Sequence, residues 1–319
     1  LGKDILLNKA VPSIDTYSST AFGTPVSYPM WLSAILLHLT YELGGLTAIV
    51  LVRGLMIGSF YILLWVISIK QGLRGWLVTI LTLICALAGA NNWAVRPQMF
   101  VYPLFGLTLL ILEPLKSNGD SGAQGQIEKR RKRFFWLIPI ALFWANLHGS
   151  VILLFLLAGS YFLFYQRNRV FFFILMLSFL VTFINPKGPS MWLDTFQIMQ
   201  ASGNQFSQEW KAPSNNGWQM NIFFLWLLLF IPLAAFSKNK LLTYQWIWFL
   251  GFGWMALSGV RYVIWFLAIL LIFSSSLLNG ILTNKTKFLS FSNIKMNIAL
   301  LILFSLLPLS LLPGVRETW

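Results

Sequence analysis

Apolar stretches alternate with short polar segments along the whole of this chain. Runs at 46–69, 75–91, 97–113, 149–165, 170–185, 219–236, 262–279 and 297–313 approach the ~20 residues that a helix needs to span a hydrocarbon core. Two shorter runs, 134–147 and 244–258, are kept because parity requires them: without either, basic loops fall on both sides of the membrane. The pattern predicts an all-α fold, a polytopic integral-membrane helical bundle of about ten transmembrane helices. It forms a single transmembrane domain over 1–319. Pro103, Pro139 and Pro232 lie in or near these runs, which is tolerable where neighbouring groups re-satisfy the freed backbone.

Residues 1–45 form a first loop on one side. Its end, 31–43, is apolar but too short to span, is edged by Trp31 and Tyr41, and stops at Gly44-Gly45. An interfacial helix lying in the membrane plane is expected there. A second long loop on the same side covers 186–218 and carries Asp194, Glu209, Trp210 and Pro213. The opposite loop, 114–133, is rich in Ser, Asn and Gly and ends in a basic cluster. No repeat of 20–50 residues is evident, and no second soluble domain.

Charge then orients the bundle. Fifteen of the 23 basic residues fall on one set of loops: Lys70, Arg74, Lys116, the run from Lys129 to Arg133, Arg167, Arg169, Lys238, Lys240, Lys285, Lys287 and Lys295. The positive-inside rule makes that set cytoplasmic. The polar residues able to do chemistry collect on the other, outer face. A 57% hydrophobic and 10% charged composition is far from the roughly 25% charge of soluble domains. The net charge of +14 sits in short loops beside apolar segments, where orientation and anionic lipid explain it without nucleic acid. The single cysteine, Cys85, excludes a disulfide framework and a CxxC metal site. A chain that opens outside without an initiating Met, and closes on Arg316-Glu317-Thr318-Trp319, is expected to be truncated at the N-terminus, with a preceding crossing lost, and to be cut short at the C-terminus as well.

Each outer-face candidate has two readings. Asp15, in Ser13-Ile14-Asp15-Thr16-Tyr17-Ser18, either accepts a proton from an incoming nucleophile, worth about 10²–10⁴-fold in rate, or caps a turn through backbone N–H groups. Arg96, in Asn92-Trp93-Ala94-Val95-Arg96-Pro97-Gln98, suits bidentate phosphate binding or snorkels at the interface beside a belt Trp. Trp144-Ala145-Asn146-Leu147-His148-Gly149 falls where a short run turns back. His148 there is a proton shuttle, a phosphate partner, a metal ligand or a satisfied structural group. Arg261 opens a run at the outer face and is a second phosphate candidate. Arg53 lies about eight residues into a run, roughly 12 Å deep, and is either functional, snorkelling outward or paired within the bundle. His38 is too distant in sequence to form a recognisable ligand pair with His148. A divalent metal stays an open cofactor, without a motif.

The ordered set Asp15 with Thr16-Tyr17-Ser18, Trp31-Leu32, Gly44-Gly45, Arg96-Pro97-Gln98, Trp144 to Gly149, Asn185-Pro186-Lys187-Gly188-Pro189, Glu209-Trp210 and Arg261 resembles a family of prokaryotic polytopic proteins. That family is similar to the GT-C glycosyltransferases, the class of the protein O-mannosyltransferases. The resemblance runs over nearly the whole chain. It implies a GT-C-like fold in the prokaryotic plasma membrane, a polyprenyl-phosphate sugar donor, an acceptor on the outer face and an acidic catalytic residue in the first outer loop. On this reading Asp15 and His148 are catalytic, and Arg96, Arg261, Lys187, Asn146 and Glu209 bind substrate. Two departures stand out. Relatives place an Asp directly after the first crossing, upstream of Leu1, and His-Glu where this chain has Tyr28-Pro29-Met30. The rival expectations are a membrane transporter or lipid flippase, and a non-catalytic membrane assembly subunit.

Overall fold

The computed structural model describes residues 1–113, 132–201 and 210–282, of which 198–201 are described by backbone alone. The described residues are helical and contain no strand. The one β-contact is an isolated bridge between Ile14 and Pro25.

A short helix α1 (Gly2–Asn8) precedes α2 (Trp31–Lys70), which is broken where the sequence places its helix stop. Gly44 has φ −170° and ψ 28°, and Gly45 has φ 60° and ψ −149°. The Gly45 backbone lies in a region that only glycine enters cheaply, so a side chain there would be strained. The first arm therefore ends near Leu43 and the second runs on to Lys70. There follow α3 (Gly75–Ala88), α4 (Tyr102–Leu112), α5 (Leu137–Leu147), α6 (Ile152–Phe164) and α7 (Arg169–Val181). The last described helices are α8 (Ser190–Ala201), α9 (Trp218–Phe236), α10 (Thr243–Ser258) and α11 (Val263–Leu282). Pro97 and Pro103 sit in the first turns of their helical segments, where a missing N–H breaks no hydrogen bond.

Every expected crossing within the described residues coincides with a helix; the run 297–313 lies outside them. Length separates them. Three helices, Trp31–Lys70, Trp218–Phe236 and Val260–Leu282, are long and apolar enough to cross a membrane, whereas Gly75–Ala88 and Arg169–Val181 are apolar but shorter. Large apolar side chains are solvent-facing along whole helices, such as Phe173, Leu177 and Leu180 on α7 and Leu225, Leu228 and Ile231 on α9. Apolar exposure on that scale marks a surface built for lipid or for partners rather than for water. The long loop 186–218, expected on the outer face, also holds a helix, α8, that the sequence pattern does not reveal.

Contacts gather in two compact units. One is Leu1–Arg53 with Val95–Asn204; the other is Gly54–Ala94 with Gln205–Trp319. In the first, α5 packs on α7 and α4, and α6 packs on α4 and α7. Arg133, from the expected basic loop, caps this bundle: its Nη2 donates to the carbonyls of Ile111 and Glu113 at 2.7 and 2.6 Å, closing the C-terminus of α4. In the second unit α11 is the centre, packed against α3, α9 and α10. Residues 263–275 of α11 are buried without a break, so the helix is covered on every face. Its hydroxyls are satisfied within this core. Ser274 accepts from Trp226 Nε1 at 3.0 Å, and Ser275 donates to the Leu271 carbonyl at 2.8 Å.

Candidate functional site

The polar groups of the first unit gather around Asn146, which is buried near the end of α5. Its amide nitrogen donates to the carbonyls of Leu142 and Ile184, both at 2.9 Å. Its oxygen accepts from Trp31 Nε1 at 2.9 Å and from Asn185 Nδ2 at 3.2 Å. Asn185 also donates to the Ala145 carbonyl at 3.2 Å, and its oxygen accepts from the Lys187 backbone N–H at 3.0 Å. Two residues from Trp31, the buried Ser33 hydroxyl lies 2.7 Å from the Leu147 carbonyl and 3.5 Å from that of Pro97. Four segments distant in sequence thus meet: Trp31–Ser33, Arg96–Pro97, Asn146–His148 and Asn185–Lys187. A buried amide using both its donor and its acceptor groups fixes such a junction more sharply than apolar packing does.

His148 leaves α5 in an extended conformation, φ −165° and ψ 140°, and its ring caps the turn Gly149–Val151. Nδ1 accepts from the Ser150 N–H at 3.0 Å and lies 2.9 Å from Ser150 Oγ, which itself accepts from Trp144 Nε1 at 3.0 Å. A ring nitrogen that accepts a backbone N–H carries no proton, so this arrangement assigns the ring proton to Nε2. That proton suits donation to an oxyanion. Among the described residues no group of three His, Cys, Asp or Glu is placed to hold a metal ion.

Asp15 sits in a closed loop. Ser13 and Asp15 exchange backbone hydrogen bonds with Val26, Thr24 and Gly23, which brings residues 13–26 back on themselves. One carboxylate oxygen accepts from the N–H groups of Tyr17 and Ser18 at 2.8 and 2.9 Å, and the other accepts from the Ser18 hydroxyl at 2.8 Å. These bonds, the Ser18 N–H first, hold the carboxyl below its ordinary range. The turn-capping reading of Asp15 is therefore what the contacts describe. In the same loop the Tyr17 hydroxyl donates to Asp4 at 2.5 Å, and that bond is the main cause pushing the phenol up to about 12.

A second carboxylate, Asp194, joins this region from α8. It accepts from the Ser27 hydroxyl, and its neighbour Thr195 lies against the Gly149 turn, where an added Cβ would meet Thr195 Oγ1 at 3.1 Å. The sequence places Asp194 on the outer face but does not single it out, because its partner is 167 positions away. Ser27, Ser33 and Ser150 are missed for the same reason.

The remaining candidates are spread more widely. Lys187 is half-buried in a turn closed by Gly188 at φ 55°, and Arg96 is exposed at the start of the Pro97 turn. Arg261 belongs to the second unit. Its guanidinium carbon lies 3.9 Å from the centre of the Trp210 ring, in cation–π contact. The Val260 N–H bonds the Lys211 carbonyl at 3.0 Å, and Trp210 meets Tyr262 edge-on, so the Arg261 turn is pinned to the 210–211 segment. Glu209 lies outside the described residues. No protein-family model matches the chain, and no curated protein or solved structure matches it.

Proposed function

We propose that this chain is an integral-membrane glycosyltransferase of GT-C type, with about ten crossings, moving a sugar from a polyprenyl-phosphate donor to an acceptor at the outer face of a prokaryotic plasma membrane. The observation that carries the reading is the polar junction in the first unit. Four segments, all expected on the outer face, are drawn together there beside an imidazole whose ring proton is on Nε2. In the mechanism a carboxylate takes the acceptor's proton as its oxygen or nitrogen attacks the anomeric carbon, and the C–O bond to the lipid phosphate breaks. His148 Nε2 and the Arg96 guanidinium stabilise the departing phosphate, with Lys187 as a further cation. Each preorganised donor is worth about 2.7–4 kcal/mol in such a role.

Two carboxylates compete for the proton. Asp15 stays ionised at neutral pH, but its three donors make it a weak base; Asp194 has one described donor, Ser27. Transfer from a polyprenyl-phosphate sugar, assayed in membranes holding the chain, distinguishes them. Loss of turnover by 10²-fold or more in Asp194→Asn with activity kept in Asp15→Asn assigns the base to Asp194 and leaves Asp15 a turn cap; the converse assigns Asp15. Unchanged transfer in both, and in His148→Gln, refutes the assignment.

The break at Gly44-Gly45 favours a second reading. Transporters build substrate sites at interruptions of membrane helices. On that reading, proteoliposomes containing the chain accumulate or flip a lipid-linked sugar without transferring it.

A further inference from the structure

The most distinctive charged surface outside the polar junction lies at the opposite end of the first unit, in the turn joining α6 to α7. Arg167, Asn168 and Arg169 form the rim of an open groove of about 580 Å³ whose walls are Phe162, Phe172 and Phe173. The three rings run on from one another: Phe162 lies 5.9 Å from Phe172, which lies 5.8 Å from Phe173. Both arginines are exposed, and neither meets a carboxylate among the described residues. Arg167 donates through Nε to the Leu163 carbonyl at 2.5 Å, which closes the end of α6 and fixes the direction of its guanidinium. Asn168 accepts from the Phe171 N–H at 2.8 Å, so its oxygen is committed to capping α7. The cations of this groove are therefore the two guanidinium groups.

We propose that this groove binds one anionic glycerophospholipid, its phosphate held by Arg167 and Arg169 and the start of an acyl chain lying on Phe162, Phe172 and Phe173. Three observations converge on that occupant. The turn joins two apolar helices, so in a membrane it lies at headgroup depth. Phe172 and Phe173 are three and four residues beyond Arg169, which puts them about 4.5–6 Å further along the helix, where a lipid's phosphate gives way to its glycerol and first methylenes. Beyond them α7 continues as an exposed apolar face through Met176, Leu177 and Leu180, on which the next methylenes of the chain can lie. The charge selects the headgroup. Two guanidinium groups without an acidic neighbour attract a net anion and repel the choline cation of a zwitterionic lipid. By the distribution of basic loops this is the cytoplasmic leaflet, where anionic lipid is attracted by such sites. The inference needs the chain to be embedded in a membrane and is independent of the transferase reading.

The test is native mass spectrometry on the full chain, delipidated in detergent and titrated with phosphatidylglycerol, with phosphatidylcholine of the same acyl chains, and with inorganic phosphate. One phosphatidylglycerol should bind more tightly than phosphatidylcholine, and phosphate should not displace it at equal concentration. R169Q, which removes no described hydrogen bond, should weaken that lipid about 5-fold, and R167Q/R169Q roughly 25-fold, while R169K keeps most of the binding. Equal binding of the two lipids overturns the proposal. So does unchanged binding in R167Q/R169Q, or displacement by phosphate alone, which would mark a simple anion site.

Discussion

Asn146 concentrates more of the first unit's geometry than any other described side chain. Its amide satisfies two carbonyls and two N–H donors that come from α2, α5 and the Ile184–Asn185 segment. Replacing it by Ala leaves the Trp31 indole N–H and two carbonyls without their partner while keeping the backbone of α5 helical. Asn146→Ala should cost about 2–3 kcal/mol, more than a surface substitution and less than the loss of a buried ion pair. A detergent unfolding curve followed by Trp fluorescence reads the stability. An unchanged midpoint would mean that the junction is hydrated and contributes little. The sequence marks Asn146 as polar within an apolar run. It does not mark Trp31, whose indole has an equally plausible place in a headgroup belt.

At the scale of elements, the break in α2 is the feature with the sharpest consequence. Gly44 has an extended φ that any residue adopts, but Gly45 does not, so the two neighbours should respond differently to the same change. Gly45→Ala should cost about 1–3 kcal/mol or straighten the helix, and Gly44→Ala should cost less, because its added Cβ meets only the Ala48 methyl at 3.1 Å. Spin labels at positions 36 and 52 measure this. A kinked helix holds them closer than the ~24 Å of a straight one at 1.5 Å per residue, and Gly45→Ala should move the distance toward that limit. The helices themselves are legible in sequence because a continuous apolar run has one economical solution in lipid. α8 is not, since Ser190–Ala201 mixes Trp192, Asp194 and Gln197 with its apolar residues, and its buried face is supplied by distant segments: the Gly149 turn against Thr195, and Phe155 and Phe179 against Trp192.

For the whole molecule, the distribution of basic residues makes a topological prediction that can be checked without reference to function. With Cys85 replaced by Ala, a cysteine at Ser19 should react with an impermeant maleimide from outside intact cells, and one at Lys238 only after permeabilisation. Both positions are exposed, so access and not burial decides the outcome. Reversal of the pattern would place the polar junction in the cytoplasm and remove the ground for an outer-face acceptor.

Composition and run length alone determine that this chain is helical and lipid-facing, because an apolar backbone segment can hide its hydrogen-bonding groups in a membrane only by bonding to itself. The charge of short loops, also read locally, sets the orientation expected of the runs. Which polar residues meet is a different kind of fact. Ser27 and Asp194, or Trp31 and Asn146, are joined by no spacing rule, since the chain between them is long enough to permit many pairings. The division into two units likewise follows from which apolar faces pack together, and every run offers several. Even the role of Asp15 turned on geometry. Its sequence permits a base or a cap, and only the folded loop, by bringing the Tyr17 and Ser18 N–H groups onto one oxygen, shows the carboxylate engaged as a cap.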